Sequence, residues 1–120
     1  MKYLLLIHQD PAIEPPARDT PEGDARMGAW MAYTQKLVED GVMVAGDALL
    51  PTDTATTVRV RGGERLVTDG PFAETKEWLA GYYLIDVPDL DTAIDYAGRM
   101  PNIEEGSTEV RPIMETPAAV

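Results

Sequence analysis

The side chains able to do acid–base or nucleophilic work are few, and their scarcity narrows the chemistry. The chain holds one histidine, His8, one serine, Ser107, three lysines, Lys2, Lys36 and Lys76, and no cysteine. A Ser–His–Asp arrangement would have to join Ser107 to His8 from opposite ends of the chain. Nothing around Ser107 resembles the sharp turn that exposes a nucleophilic serine. A single histidine without cysteines cannot build the His- or Cys-rich sites that bind zinc or iron. No glycine-rich dinucleotide loop occurs. Gly41 and Gly46 share the spacing of a phosphate-binding loop, but Asp47 stands where its lysine must be. Neither a metal nor a cofactor is expected.

Proton transfer is what remains. His8 ends the first apolar run, at the entrance to a proline-rich loop, and an imidazole is suited to proton transfer near neutral pH. Asp47 ends the second strand in the same way, which makes it a candidate acidic partner for His8 or a contact to substrate. Asp69, Glu74, Lys76 and Glu77 fall within nine residues. A carboxylate crowded by another carboxylate holds its proton more tightly and can act as general acid or base. A lysine among them could position an anionic ligand. His8, Asp69, Glu74 and Lys76 are therefore the candidate catalytic residues, with Arg111 and Asp47 as substrate contacts. A purely structural reading stands beside this one. Asp69-Gly70-Pro71 has the residues of a tight turn, and Phe72, the only phenylalanine, could anchor the loop in the core while Glu74, Lys76 and Glu77 stay solvated.

These residues must be positioned by a small set of elements. Tyr3 to Ile7 reads as a strand buried on both faces. Gln9 to Pro21 contains four prolines and is irregular. Thr20 caps a helix that starts with Pro21 and stops at Gly41, with Met27, Trp30, Met31, Thr34, Leu37 and Val38 on its apolar face. A strand follows over Val42 to Asp47. Thr57 to Arg61 then alternates apolar and basic residues, and Gly62-Gly63 turns the chain back along Glu64 to Thr68. The arginines of this hairpin are expected on its outer face. Leu79 to Val87 is another strand, and Asp89 caps a short helix whose apolar positions are Leu90, Ala93, Ile94 and Ala97. Glu109 to Met114 closes the series as an edge strand, because Pro112 cannot donate to an internal ladder.

The expected fold is α+β. Without the hairpin the order is βαββαβ, the ferredoxin-like pattern, with both helices on one face of an antiparallel sheet. Residues 1–114 form one domain and 115–120 a loose tail. The uncovered face is expected to be apolar, with Val42, Val44, Leu84 and Val110 on it, and to be covered by a second copy. With 21 acidic against 10 basic residues the net charge is −11, which disfavours nucleic acid and anionic membranes as partners. No apolar run is long enough to span a bilayer and no secretory signal opens the chain, so a cytoplasmic location is expected.

The string Asp69-Gly70-Pro71-Phe72-Ala73-Glu74-Thr75-Lys76-Glu77, followed by Gly81-Tyr82-Tyr83, resembles the signature of the DGPF proteins of the YCII-related superfamily. Similarity extends to Met1–Leu6, Gly46–Leu50, the Val58–Thr68 hairpin and Glu109-Val110-Arg111-Pro112. The resemblance implies a dimeric α/β barrel, two ferredoxin-like subunits facing each other sheet to sheet with a cleft in each. It also implies kinship with muconolactone-isomerase-like and dehydrochlorinase-like enzymes, for which a histidine–aspartate acid–base pair has been proposed. That histidine lies in the first helix, and residues 22 to 40 contain none here. DGPF proteins tend to be encoded beside extracytoplasmic-function sigma factors, which implies a regulatory role as an alternative to catalysis. The enzyme reading implies a small, anionic ligand.

Overall fold

In the computed structural model, which describes residues 1–72 and 76–116, β1 (Lys2–Gln9) leads into α1 (Pro21–Glu39) and β2 (Met43–Ala48). A single 3-10 turn, Thr52–Thr54, precedes the hairpin of β3 (Thr56–Arg61) and β4 (Glu64–Asp69). The chain ends through β5 (Trp78–Asp86), α2 (Leu90–Gly98) and β6 (Gly106–Pro112). Four strands form one antiparallel sheet in the order β2-β5-β1-β6, while β3 and β4 pair only with each other. This is the α+β, βαββαβ arrangement with an inserted hairpin. Pro112 does lie on an edge strand.

The caps form as their residue types dictate. The Thr20 hydroxyl accepts from Gly23 N at 3.0 Å, and the Asp89 carboxylate accepts from Thr92 N at 2.8 Å. At the hairpin tip Gly62 and Gly63 both take positive φ, 58° and 78°, as a two-residue primed turn requires.

The core lies between one face of the sheet and the two helices. Tyr3, Leu5 and Ile7 of β1 and Tyr83 and Ile85 of β5 pack against Tyr33, Leu37, Ala93, Tyr96, Ala97 and Met100. Each large apolar side chain so buried contributes about 1.5–3 kcal/mol. The apolar run of β1 is thus buried on one face only, with Leu4 and Leu6 half-exposed on the other. Val42 and Val110 pack against this same core rather than on the open face. Val44 is the extra residue of a β-bulge between Met43 and Ala45. The stripe of α1 is also narrower than its apolar spacing suggests. Trp30, Tyr33, Thr34 and Leu37 face the sheet, whereas Met27, Met31 and Val38 are exposed. On α2 the buried positions are Ala93, Tyr96 and Ala97, with Leu90 and Ile94 exposed.

The hairpin leaves its apolar residues uncovered, and of its arginines Arg61 and Arg65 are exposed as expected while Arg59 is not. Val58 and Val60 are 58% and 59% exposed, whereas Arg59 lies on the half-buried side with its guanidinium 5.4 Å from the Phe72 ring centre. Phe72 is not in the core at all: it is 78% exposed. The reason is that this hairpin stands off the four-stranded sheet, so Phe72 just after it has no core to enter. The Cα radius of gyration, 16.7 Å, exceeds the about 13–14 Å of a compact domain of this length. Among the described residues no helix is long and apolar enough to cross a membrane.

Candidate functional site

Strand register places the chemistry on the open face of the sheet. Across that face one row runs Ser107, His8, Leu79 and the next runs Glu109, Leu6, Tyr82, Asp47. His8 Nε2 lies 3.4 Å from Glu109 Oε1, and the other oxygen of that carboxylate accepts from Arg111 Nη1 at 3.0 Å. The carboxylate thus bridges an imidazole and a guanidinium. The Arg111 hydrogen bond is the main reason that the Glu109 carboxyl sits below its ordinary range. Partial burial opposes the shift, and His8 reinforces it. Beside this pair the Ser107 hydroxyl donates to Glu77 Oε1 at 2.7 Å.

Behind His8 the backbone is clamped. Asn102, 1% exposed, donates through Nδ2 to the carbonyls of His8 and Ser107 at 3.3 and 3.4 Å. Gly106 leaves no room for a side chain there, since a Cβ would lie 2.2 Å from the His8 carbonyl oxygen. β1 and β6 are therefore fixed to each other where the imidazole leaves the sheet.

Two clefts open at this point. One, of about 610 Å³, is lined by His8, Asp10, Lys76, Glu77, Ser107, Thr108 and Glu109. The other, of about 1170 Å³, runs toward the base of the hairpin between Leu49, Leu50, Val58, Phe72, Trp78 and Leu79, again with His8 in its wall. A third cleft of about 310 Å³ lies on the helix side, between Met27, Trp30 and Thr34 of α1 and Met43, Gly46 and Tyr83 of the sheet. The Thr34 and Tyr83 hydroxyls meet there at 2.6 Å. The α1 residues lining it are thioether, indole and hydroxyl, none of which titrates near neutrality.

Of the residues singled out by sequence, His8 and Lys76 line the polar cleft together. Asp69 ends β4, exposed, and is not part of that lining. Glu74 lies outside the described residues. Asp47 is not the partner of His8: its carboxylate accepts from the Tyr82 hydroxyl at 2.7 Å. β5 stands between β2 and β1, which sets the two strand backbones about 10 Å apart. Arg111 is engaged by Glu109 rather than held in reserve for substrate. Sequence reading missed Glu109 as the partner of His8 and Asn102 as the clamp. The available signal for Glu109 was alternation: Ser107, Glu109 and Arg111 must share one face of a strand. Among the described residues no group of acidic or histidine side chains could hold a metal ion.

Comparison with known proteins agrees with this architecture. The YCII-related domain model matches residues 1–117. The chain belongs to the YCII-related domain family. An uncharacterised protein of Rhizobium meliloti (strain 1021) is 42% identical over 115 residues, covering 94% of this chain and 92% of that protein. Among solved structures, 5-chloro-2-hydroxyhydroquinone dehydrochlorinase of Burkholderia phenoliruptrix AC1100, in complex with 2,5-dihydroxybenzoquinone, superimposes with a TM-score of 0.56 at 13% identity. That match covers 97% of this chain and 96% of the other. It is a likeness of fold. This YCII-related chain has no histidine on its first helix.

Proposed function

We propose that the protein is a homodimeric acid–base enzyme of the isomerase or lyase type, acting on a small molecule held against His8. The observation that carries this is the His8–Glu109–Arg111 chain of contacts at the mouth of two clefts. With Nε2 turned to Glu109, Nδ1 of the neutral imidazole is the acceptor for a substrate proton. Glu109 orients the ring and stabilises the imidazolium that forms, as a carboxylate does behind any catalytic histidine. The electron pair released from the C–H bond forms a double bond. In an isomerisation, His8 returns the proton to a second carbon. In an elimination, the pair expels a leaving group as its anion. The dehydrochlorinase named above has the same fold, which supports the elimination variant. Lys76 shares the cleft with these groups. In this reading neither Asp69 nor Asp47 acts at His8. The half-exposed Leu4, Leu6 and Leu84 on the open face support a second copy as its cover.

The test is turnover of lactones, dienoic acids and halogenated or hydroxylated quinones by wild type, His8→Asn and Glu109→Gln. His8→Asn is expected to abolish activity with an unchanged melting temperature. Glu109→Gln is expected to lower kcat by up to roughly 10⁴, because the ring loses the carboxylate that sets its tautomer and stabilises the imidazolium. Equal activity in wild type and His8→Asn would overturn the mechanism. Salt-sensitive capture of a sigma factor without turnover of any compound would favour the regulatory alternative.

A further inference from the structure

The two open-face clefts are one site with two chemical halves. His8 belongs to both walls, and the consecutive residues Lys76, Glu77, Trp78 and Leu79 pass from the polar cleft into the apolar one without interruption. Along the apolar half, Leu50, Phe72, Trp78 and Leu79 are all exposed on the single chain. Four large hydrophobic side chains facing one trough mark a place that some apolar body occupies. The polar half carries the opposite message about its ligand's head. Among the described residues it is lined by three carboxylates, Asp10, Glu77 and Glu109, against Lys76 and the titratable His8. Arg111, the cation best placed to offset them, already donates to Glu109. The local field therefore disfavours an anion, and an incoming carboxylate would meet like charge at short range.

From this division we infer that the site takes an amphiphile. Its apolar body lies in the trough beside Leu79 and Phe72, and its head, an amine or hydroxyl that donates hydrogen bonds and carries no negative charge, lies among Asp10, Glu77 and Glu109. His8 then faces the junction of head and body, so the reacting carbon is the one next to the head group. The inference rests on the acid–base reading above for that last step only. Binding and selectivity stand apart from turnover.

The experiment is calorimetric titration of the full-length protein with 4-phenylbutylamine, 4-phenylbutanol, 4-phenylbutanoate and methylamine at pH 7.5. The amine and the alcohol are each expected to bind at least about tenfold tighter than the carboxylate, a 1.4 kcal/mol difference. Shortening the amine's chain should weaken binding by about two- to fourfold per methylene. Phe72→Ala and Leu50→Ala should weaken the phenylalkyl probes together, and Asp10→Asn should narrow the preference for amine over carboxylate. Tighter binding of 4-phenylbutanoate than of the amine overturns the assignment of the head. Equal affinity for methylamine and 4-phenylbutylamine overturns the assignment of the trough, as would a trough already filled by a second copy, which would make affinity independent of chain length. Turnover of a carboxylate amphiphile would also sink the inference while leaving His8 as the base. Amine binding without turnover of any compound would sink the acid–base reading alone.

Discussion

At the scale of single residues, electrostatics is concentrated in Glu109, whose two oxygens serve different cations. Because Arg111 supplies the largest part of the downward shift, Arg111→Met should raise the Glu109 titration midpoint toward the ordinary value of 4.5. A carbon-13 titration of the side-chain carboxyl reads this directly, and an unmoved midpoint would remove Arg111 as its cause. Asp40 is lowered by hydrogen bonds from Lys36 and Tyr96, and Asp89 by those from Thr92. A carboxyl that is more acidic in the folded chain contributes stability above its unfolded value and loses it as pH falls through the folded one. Unfolding free energy should therefore be flat from neutrality down to the ordinary carboxylate range and decline below it, as urea titrations at stepped pH would show. Phe72 makes the second residue-scale case. Exposed as it is, its replacement by alanine should change stability by within about 0.5 kcal/mol, whereas Leu5→Ala, fully buried, should cost about 2–5 kcal/mol. Comparable losses from the two would place the ring back in a core.

At the scale of elements, the site depends on how closely β6 runs beside β1. Gly106→Ala would drive a methyl into the His8 carbonyl, a backbone atom that cannot rotate away. The strands would have to part at the one place where Asn102 ties them, at a cost of about 1–3 kcal/mol. Activity should fall further than stability, because the displaced residue is the proposed base. Loss of stability with unchanged kcat would show that the register at His8 does not matter to the site. Much of this element layer was legible in the sequence. Thr20, Pro21, Gly41, Asp89 and Gly62-Gly63 act locally, through caps and turns that depend on a few neighbouring residues. What sequence could not supply was which face of an element meets the core, since that depends on partners far along the chain. Tyr33 joins the core through its hydroxyl, which donates to the Tyr96 carbonyl of α2 at 2.8 Å. Val58 and Val60 have the alternation of a half-buried strand, yet their strand stands away from the core. Glu109 could be seen as a strand residue, but pairing it with His8 required knowing that β6 lies beside β1.

At the scale of the whole molecule, the apolar surface that one chain leaves uncovered supports the second copy proposed above. The open sheet face carries Leu4, Leu6 and Leu84 half-exposed. The hairpin carries Val58, Val60, Leu66 and Val67 exposed, and an isolated two-stranded ribbon is marginal on its own. The net charge of −11 opposes association of identical chains, but only over a screening distance of about 8 Å at physiological salt. In the proposed dimer, burial of Leu4, Leu6 and Leu84 acts at contact and would offset that repulsion. A two-fold arrangement, sheet against sheet, would cover both copies' open faces at once and roof the clefts at His8. The protein should accordingly run as a dimer at micromolar concentration in light scattering, with weaker association at low salt, where like charge is less screened. Leu84→Glu places a new carboxylate on the open face, where a symmetric interface brings it toward its own copy. That variant should scatter as a monomer with its far-ultraviolet circular dichroism retained. Val60→Glu should weaken the dimer if the hairpin also clasps the partner, and leave it intact if the sheet alone makes the contact. A wild-type protein that stays monomeric at hundreds of micromolar would end the two-copy arrangement.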